Sequence, residues 1–412
     1  MVKLKISYAL LSLLFLSVLG LSASAQDIPE RAYFQVLNNK GKRLISPNIR
    51  HSFPDDVYSV QAPPEAMRGL MNNPNLDFVD FVNLYEPIAK PVCGDGVCQG
   101  NENKTCAQDC TSSGGGDTGG ERTCFPNDQL PYNVTQVNGG YDGDGTGVVV
   151  SVLDTGARNH PDLTVALCKD ATKRGIKNGC NDNNSVYHGT HSSGVVAANG
   201  GTDGLGIFGV APAATLWVIK VCGNAFCFGD DIAAGIQYAA NEGTNIINMS
   251  LGGSSPSSII KAAIDNAVGV LVIASAGNRG PNPDTIGYPA AFYNVVAVAA
   301  VNSNYVVARF SSRGIDDGND GSIVNREVEL AAGGVSVEST NGDGCYSSLS
   351  GTSFSAPTVS GLAAVVWNQA GGTAAATRDY LISITDDITQ ASGGGAGSGF
   401  DIASGYGLPV AP

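Results

Sequence analysis

Three short segments carry residue types that could make and break covalent bonds. Asp154 follows the apolar run Val148-Val149-Val150-Ser151-Val152-Leu153 and precedes Thr155-Gly156, which predicts a carboxylate at the C-terminal end of a buried strand. On its own, this triplet also suits a strand-terminating turn, or an aspartic protease, whose mechanism needs two carboxylates in one site. His188-Gly189-Thr190-His191 opens a helical run. Histidines three apart can share a helix face, so a metal pair is one reading and a structural role another; the large domain holds one more histidine, His160, and no H-E-x-x-H. The third segment is Gly351-Thr352-Ser353-Phe354-Ser355-Ala356-Pro357, where serine at a helix start is either a cap or an exposed hydroxyl near orphan N–H groups. Taken together, Asp, His and Ser at element ends supply orienter, base and nucleophile for acyl transfer.

The elements that must hold these residues alternate along the chain. Apolar, β-branched runs at residues 148–153, 216–221, 245–249, 270–274 and 295–301 are separated by Ala/Gly-rich helical candidates at 191–198, 231–241, 259–267 and 355–369. Short all-apolar strands separated by helices predict a mainly parallel sheet covered on both faces, a three-layer α/β domain. Sites in such sheets collect at the carboxyl ends of the strands, where the three segments fall.

Upstream, Lys3 and Lys5 precede an apolar run to Leu21 and the small residues Ala23-Ser24-Ala25, the pattern of a secretory signal peptide over 1–25. Residues 26–92 read as a small α+β unit, with extended runs at 32–37 and 76–82 and a short helix at 64–71. Cysteines 93, 98, 106 and 110 crowd the next 18 residues, which hold almost no apolar core, and disulfides or a metal must stabilise this mini-module. Export favours disulfides. Residues 111–120 are a Gly/Ser linker, and 121–412 form the large domain. Its six cysteines offer the near pairs Cys168 with Cys180 and Cys222 with Cys227, among 15 possible connectivities. The net charge of −14, without any long Lys/Arg run, argues against nucleic acid and anionic membranes as partners. The 54 glycines in 412 residues exceed the usual ~7% and concentrate in the linker and in turns near the candidate chemistry.

The ordered segments SVLDTG, HGTHSSG, NMSLGG, ASAGN and GTSFSAP resemble the signature set of subtilisin-like serine proteases, over roughly residues 127–412. Residues 31–88, ending in NPNLDFVDFVNLYEP, more loosely resemble that family's inhibitory propeptide. The resemblance implies a secreted, monomeric serine endopeptidase that acts on proteins or peptides and is made as a self-processing precursor, with its own propeptide as inhibitor. It implies Ser353 as nucleophile, His188 as base, Asp154 as the residue orienting His188, and a structural place for His191. Asn278 matches the side chain that donates to the oxyanion, and an Asn there separates the chain from the Ser-Glu-Asp acid peptidases and implies a neutral or alkaline working pH.

The same resemblance places substrate along Ser250-Leu251-Gly252-Gly253, where bare glycine backbone would pair with an extended peptide. Gly287 matches the base of the pocket for the residue before the scissile bond, and Arg279 stands where many relatives carry a carboxylate. Asp128, Asp162 and Asp203 align with a structural calcium site of all-oxygen chemistry. The readings set against this one are a catalytically silent binding module and a narrow processing peptidase.

Overall fold

The computed structural model describes residues 31–36, 49–63, 66, 70, 76–87, 125–141, 143–316, 323–389 and 396–412. The expected signal peptide, Cys-rich module and linker lie outside the described residues. The chain divides into two compact units, Met1–Val82 and Asn83–Pro412.

In the first unit, strands β1 (Arg31–Val36), β2 (Ile49–Phe53), β3 (Val57–Gln61) and β4 (Leu76–Phe81) form one antiparallel sheet in the order β2-β3-β1-β4. Buried Ala32, Val60 and Leu76 form its core, against which Ile49, Tyr58 and Val79 pack. Of the helix expected over 64–71, only Ala66 and Leu70 are described, and both are helical.

The second unit opens with β5 (Leu84–Pro87) and α1 (Tyr132–Gln136). Its centre is an eight-stranded sheet built from β6 (Val149–Asp154), β7 (Val165–Asp170), β8 (Lys177–Asn178), β9 (Thr215–Lys220), β11 (Ile246–Met249), β13 (Leu271–Ser275), β14 (Val296–Val301) and β15 (Leu330–Gly333). The order is β15-β14-β13-β11-β6-β9-β7-β8, parallel throughout except for the β7–β8 edge. Strands β11, β13 and β14 are buried at every position, which explains why they read as unbroken apolar runs and not as alternation.

Helices α2 (His188–Ala197) and α5 (Thr352–Val366) pack against each other and against the sheet, while α3 (Gly229–Glu242) and α4 (Ser258–Asn266) form a second packed pair. With the sheet between helical layers the unit is a three-layer α/β domain, as the alternating pattern predicts. Every residue of α2 is buried, so the histidine helix has no solvent face at all. The disulfides Cys168–Cys180 and Cys222–Cys227 are both present, and Cys345 is also disulfide-bonded. Among the described residues no helix is long and apolar enough to cross a membrane.

Candidate active site

Asp154 ends β6 at the carboxyl edge of the sheet, where its main-chain carbonyl accepts from the N–H groups of Val221 (2.9 Å) and Cys222 (3.1 Å). The side chain is buried, and its Oδ1 accepts from Thr155 N–H and from His188 Nδ1–H, both at 2.7 Å. A carboxylate facing Nδ1 holds the ring proton there and leaves Nε2 as the basic nitrogen. Nε2 of His188 and Oδ2 of Asp154 are both buried without a hydrogen-bond partner. Other buried atoms share this condition, His191 Nδ1 among them, and what sets His188 apart is the carboxylate on its Nδ1.

The first turn of α2 is clamped by residues that motif reading alone passes over. Gly189 N–H donates to Thr155 Oγ1 at 2.8 Å, and Thr190 donates through N–H (3.0 Å) and Oγ1–H (2.8 Å) to Oδ2 of buried Asp182. These bonds satisfy donors that a helix start leaves unpaired, and Asp182 places negative charge at the positive end of the helix. Gly156 makes the close approach possible: its φ is +114°, and a Cβ there would lie 2.1 Å from the Cys180 carbonyl oxygen. Lys220, buried beside Asp154 in the ladder, donates from Nζ to the Thr155 carbonyl oxygen. Burial lowers the pKa of this ammonium, against the opposing pull of Asp182, Asp170 and Asp154.

His191 is structural, as expected. Its Nε2–H is shared between the carbonyls of Val337 and Ser347, each at 3.0 Å, and its ring meets Phe354 edge-on at 4.5 Å. Burial pushes its pKa down to about 3, so the ring is neutral near neutral pH. The metal-pair reading therefore fails on geometry, since His188 turns to Asp154 and His191 to main-chain carbonyls. His160 is equally committed, accepting from Asp162 N–H at 3.1 Å and bonding the Cys345 carbonyl at 2.9 Å.

Ser353 is the second residue of α5, entered through Gly351 with φ +153°. Phe354, next in the chain, packs against the rings of both His188 and His191, which locks this helix start to α2. Pro357 has no N–H to give to the Ser353 carbonyl four residues back, and Ser250 Oγ–H fills that place at 2.7 Å. In return Ser353 Oγ–H donates to Ser250 O at 3.2 Å. No hydrogen bond joins Ser353 Oγ to His188 Nε2, which has no partner among the described residues. Asn278 Oδ1 accepts from Thr352 N–H and Oγ1–H, both at 3.0 Å, which fixes the amide orientation and leaves Nδ2 as its donor end.

The substrate-contact residues expected from sequence lie along one edge. Within the large unit, β12 (Leu251–Gly252) pairs antiparallel with β5, Leu251 opposite Pro87 and Gly252 opposite Glu86. On its other side β5 pairs with β10 (Cys227–Phe228), the strand closed off by the Cys222–Cys227 disulfide. Tyr85 of β5 is buried, and its hydroxyl donates to Ser255 O at 3.1 Å. Gly253 exchanges two 2.9 Å hydrogen bonds with Tyr288, so Gly287 lies beside it, and a Cβ on Gly287 would stand 3.3 Å from Gly253 O and 3.2 Å from Arg279 Nη2.

Of the three aspartates expected to hold calcium, the structure brings two together. A Cβ on Gly201 would lie 2.8 Å from Asp162 Oδ1 and 3.3 Å from Asp203 Oδ1, and one on Gly206 would lie 2.0 Å from Asp162 Oδ1. The Asp162 carboxylate packs on these glycines, its Oδ2 accepting from Ile207 N–H at 2.9 Å and Tyr346 Oη–H at 2.6 Å, and Asp203 Oδ1 accepts from Leu205 N–H at 3.1 Å; all are hard oxygen donors of the kind calcium takes. Asp128 uses Oδ1 to accept from Leu130 N–H at 3.0 Å, and among the described residues the three carboxylates do not converge to within 4.8 Å of one another.

A model of the subtilase family matches residues 145–407. A subtilisin of Bacillus sp. strain TA39 is 44% identical over 297 residues, 67% of this chain and 69% of that protein. Subtilisin DY of Bacillus licheniformis is 40% identical over 250 residues, covering 58% of this chain and 84% of the relative. Among solved structures, the S41 psychrophilic protease superposes with a TM-score of 0.65 at 42% identity, over 70% of this chain and 100% of that one.

Proposed function

The chain belongs to the subtilase family of serine endopeptidases, and from that premise we propose that it is an exported precursor whose Asp154, His188 and Ser353 hydrolyse peptide bonds. The observation that carries the reading is the buried 2.7 Å contact of His188 Nδ1 with Asp154 Oδ1, which turns Nε2 away from the carboxylate beside the helix that presents Ser353. Ser353 Oγ attacks the scissile carbonyl as Nε2 takes its proton. The imidazolium, stabilised by Asp154, then returns that proton to the leaving amine. Asn278 Nδ2–H and the Ser353 N–H donate to the oxyanion.

Residues 26–92 act in this reading as the inhibitor of their own enzyme. Its support is the pairing of Leu84–Pro87 with β12 and β10, which occupies the edge an extended substrate would need. Purified precursor should therefore hydrolyse a chromogenic peptide only after a lag, with activity rising as a new N-terminus downstream of Pro87 appears in Edman sequencing. An intact chain as active as the processed one would remove this function from the segment.

Asp162 and Asp203, with Asp128 joining them, would hold a structural calcium ion that braces the loop following α2. At a hundredfold excess of free calcium over its Kd, binding adds about 2.7 kcal/mol of stability. At ~2–4 °C per kcal/mol, chelator should lower Tm by about 5–10 °C in a domain of this size. Asp203→Ala should abolish that chelator effect, and a Tm indifferent to chelator in the wild type would exclude the site.

A further inference from the structure

The arrangement of Arg279 points to a charge filter in the substrate cleft. Its main-chain N–H is fixed by Ser312 Oγ at 3.1 Å, and its guanidinium reaches across the edge, Nη2 lying 3.5 Å from Gly253 O and against Gly287. Gly253 directly follows Gly252, the residue paired with Glu86 of β5, so the guanidinium stands next to the register position that Glu86 fills. Among the described residues no carboxylate comes within ion-pair distance of Arg279. Partial burial against the cleft wall disfavours its charge, and the Glu86 carboxylate offsets that cost. A cation at the rim of a peptide-binding edge, without a resident counter-ion and facing a glutamate of the chain's own paired strand, has the form of a recognition element for an acidic side chain.

We propose that Arg279 is a specificity-determining residue selecting Glu or Asp at the substrate position that pairs with Gly252. The proposal rests on the reading of the Ser250–Gly253 edge as the substrate track. It goes further than the exclusion of basic side chains suggested by a cation in place of a carboxylate, because it names the favoured chemistry and the position. The distance exceeds that of a direct ion pair and the site is solvated, so the effect per charge step should be modest, about two- to fivefold in kcat/KM, and should shrink with added salt.

The test uses the processed enzyme and three acyl-Tyr-X-Pro-Phe-p-nitroanilide peptides with X as Glu, Gln or Lys. At low ionic strength wild type should cleave them in the order Glu, Gln, Lys, and the Glu-to-Lys ratio should fall in high salt. Arg279→Glu should invert the order and Arg279→Lys should keep it. Each ratio is taken within one preparation, so loss of folded enzyme in a variant cancels. Equal rates for the three peptides in wild type, or an acidic preference that survives Arg279→Glu, would overturn the proposal while leaving the peptidase reading intact. Failure of wild type to cleave any of the three would overturn the peptidase reading and this proposal with it.

Discussion

Ser353→Ala is expected to reduce peptide hydrolysis by about 10⁶-fold, the loss that removing a triad serine causes in subtilisin itself. If the precursor is converted by self-cleavage, as proposed, the same substitution should leave it unconverted. The fold should survive. Ser353 contributes its carbonyl to Ser250 Oγ–H and its place in α5 through the main chain, and neither depends on Oγ. The helix start is secured by Thr352 on Asn278 and by Phe354 between the two histidine rings. An inactive variant with wild-type Tm thus separates chemistry from folding. Hydrolysis and processing at the wild-type rate would remove Ser353 from the mechanism.

Asp154→Asn should lower kcat by about 10⁴-fold with little loss of structure. Two effects combine. The amide lacks the charge that stabilises imidazolium, and its NH₂ can donate to Nδ1 and so favour the tautomer in which Nε2 carries the proton. Thr155 N–H meets the same Oδ1 as His188 Nδ1, so an NH₂ turned to Nδ1 leaves that N–H without its acceptor, a cost of about 1–3 kcal/mol that lowers Tm while the fold survives. Rate measurement alongside thermal melting checks this. A loss below tenfold would mean that Asp154 does not set the state of His188.

The parts of this site visible in the sequence are those dictated by local patterning. The unbroken β-branched run before Asp154 identifies a buried strand, and its end places the carboxylate. His188 and Ser353 are found because glycine, threonine and serine around them mark helix starts. The exact starts are not legible. The expected helices begin at 191 and 355, whereas the observed ones begin at His188 and Thr352. The caps for α2 come from Thr155 and Asp182, distant in sequence, and no local rule announces them. For α5, Pro357 suggests a first turn, yet it sits deeper in the helix because Ser250 supplies the hydrogen bond that proline cannot.

Long-range pairing hides other features. β7 (Val165–Asp170) lies near a sheet edge and is half-buried, so Cys168 and Lys169 break any clear periodicity. β15, Leu330-Ala331-Ala332-Gly333, is fully buried but made mostly of small residues without β-branching. The four residues of β5 are strand-like only because two other segments pair with them, and this shifts the boundary of the first compact unit to Val82 from the 92 expected by composition. Lys220 is one charge within an apolar run and Asp182 one within a polar stretch, and it is the fold that buries both beside Asp154 and the first turn of α2.

The assignment of Ser353 as a nucleophile activated by His188 is tested most directly by reacting the processed enzyme with a fluorophosphonate and mapping the adduct by mass spectrometry. One adduct per chain, on Ser353, is expected, and its rate of formation should collapse in His188→Ala under the same exposure. Labelling at another residue, or labelling of Ser353 undiminished by loss of His188, would overturn the mechanism.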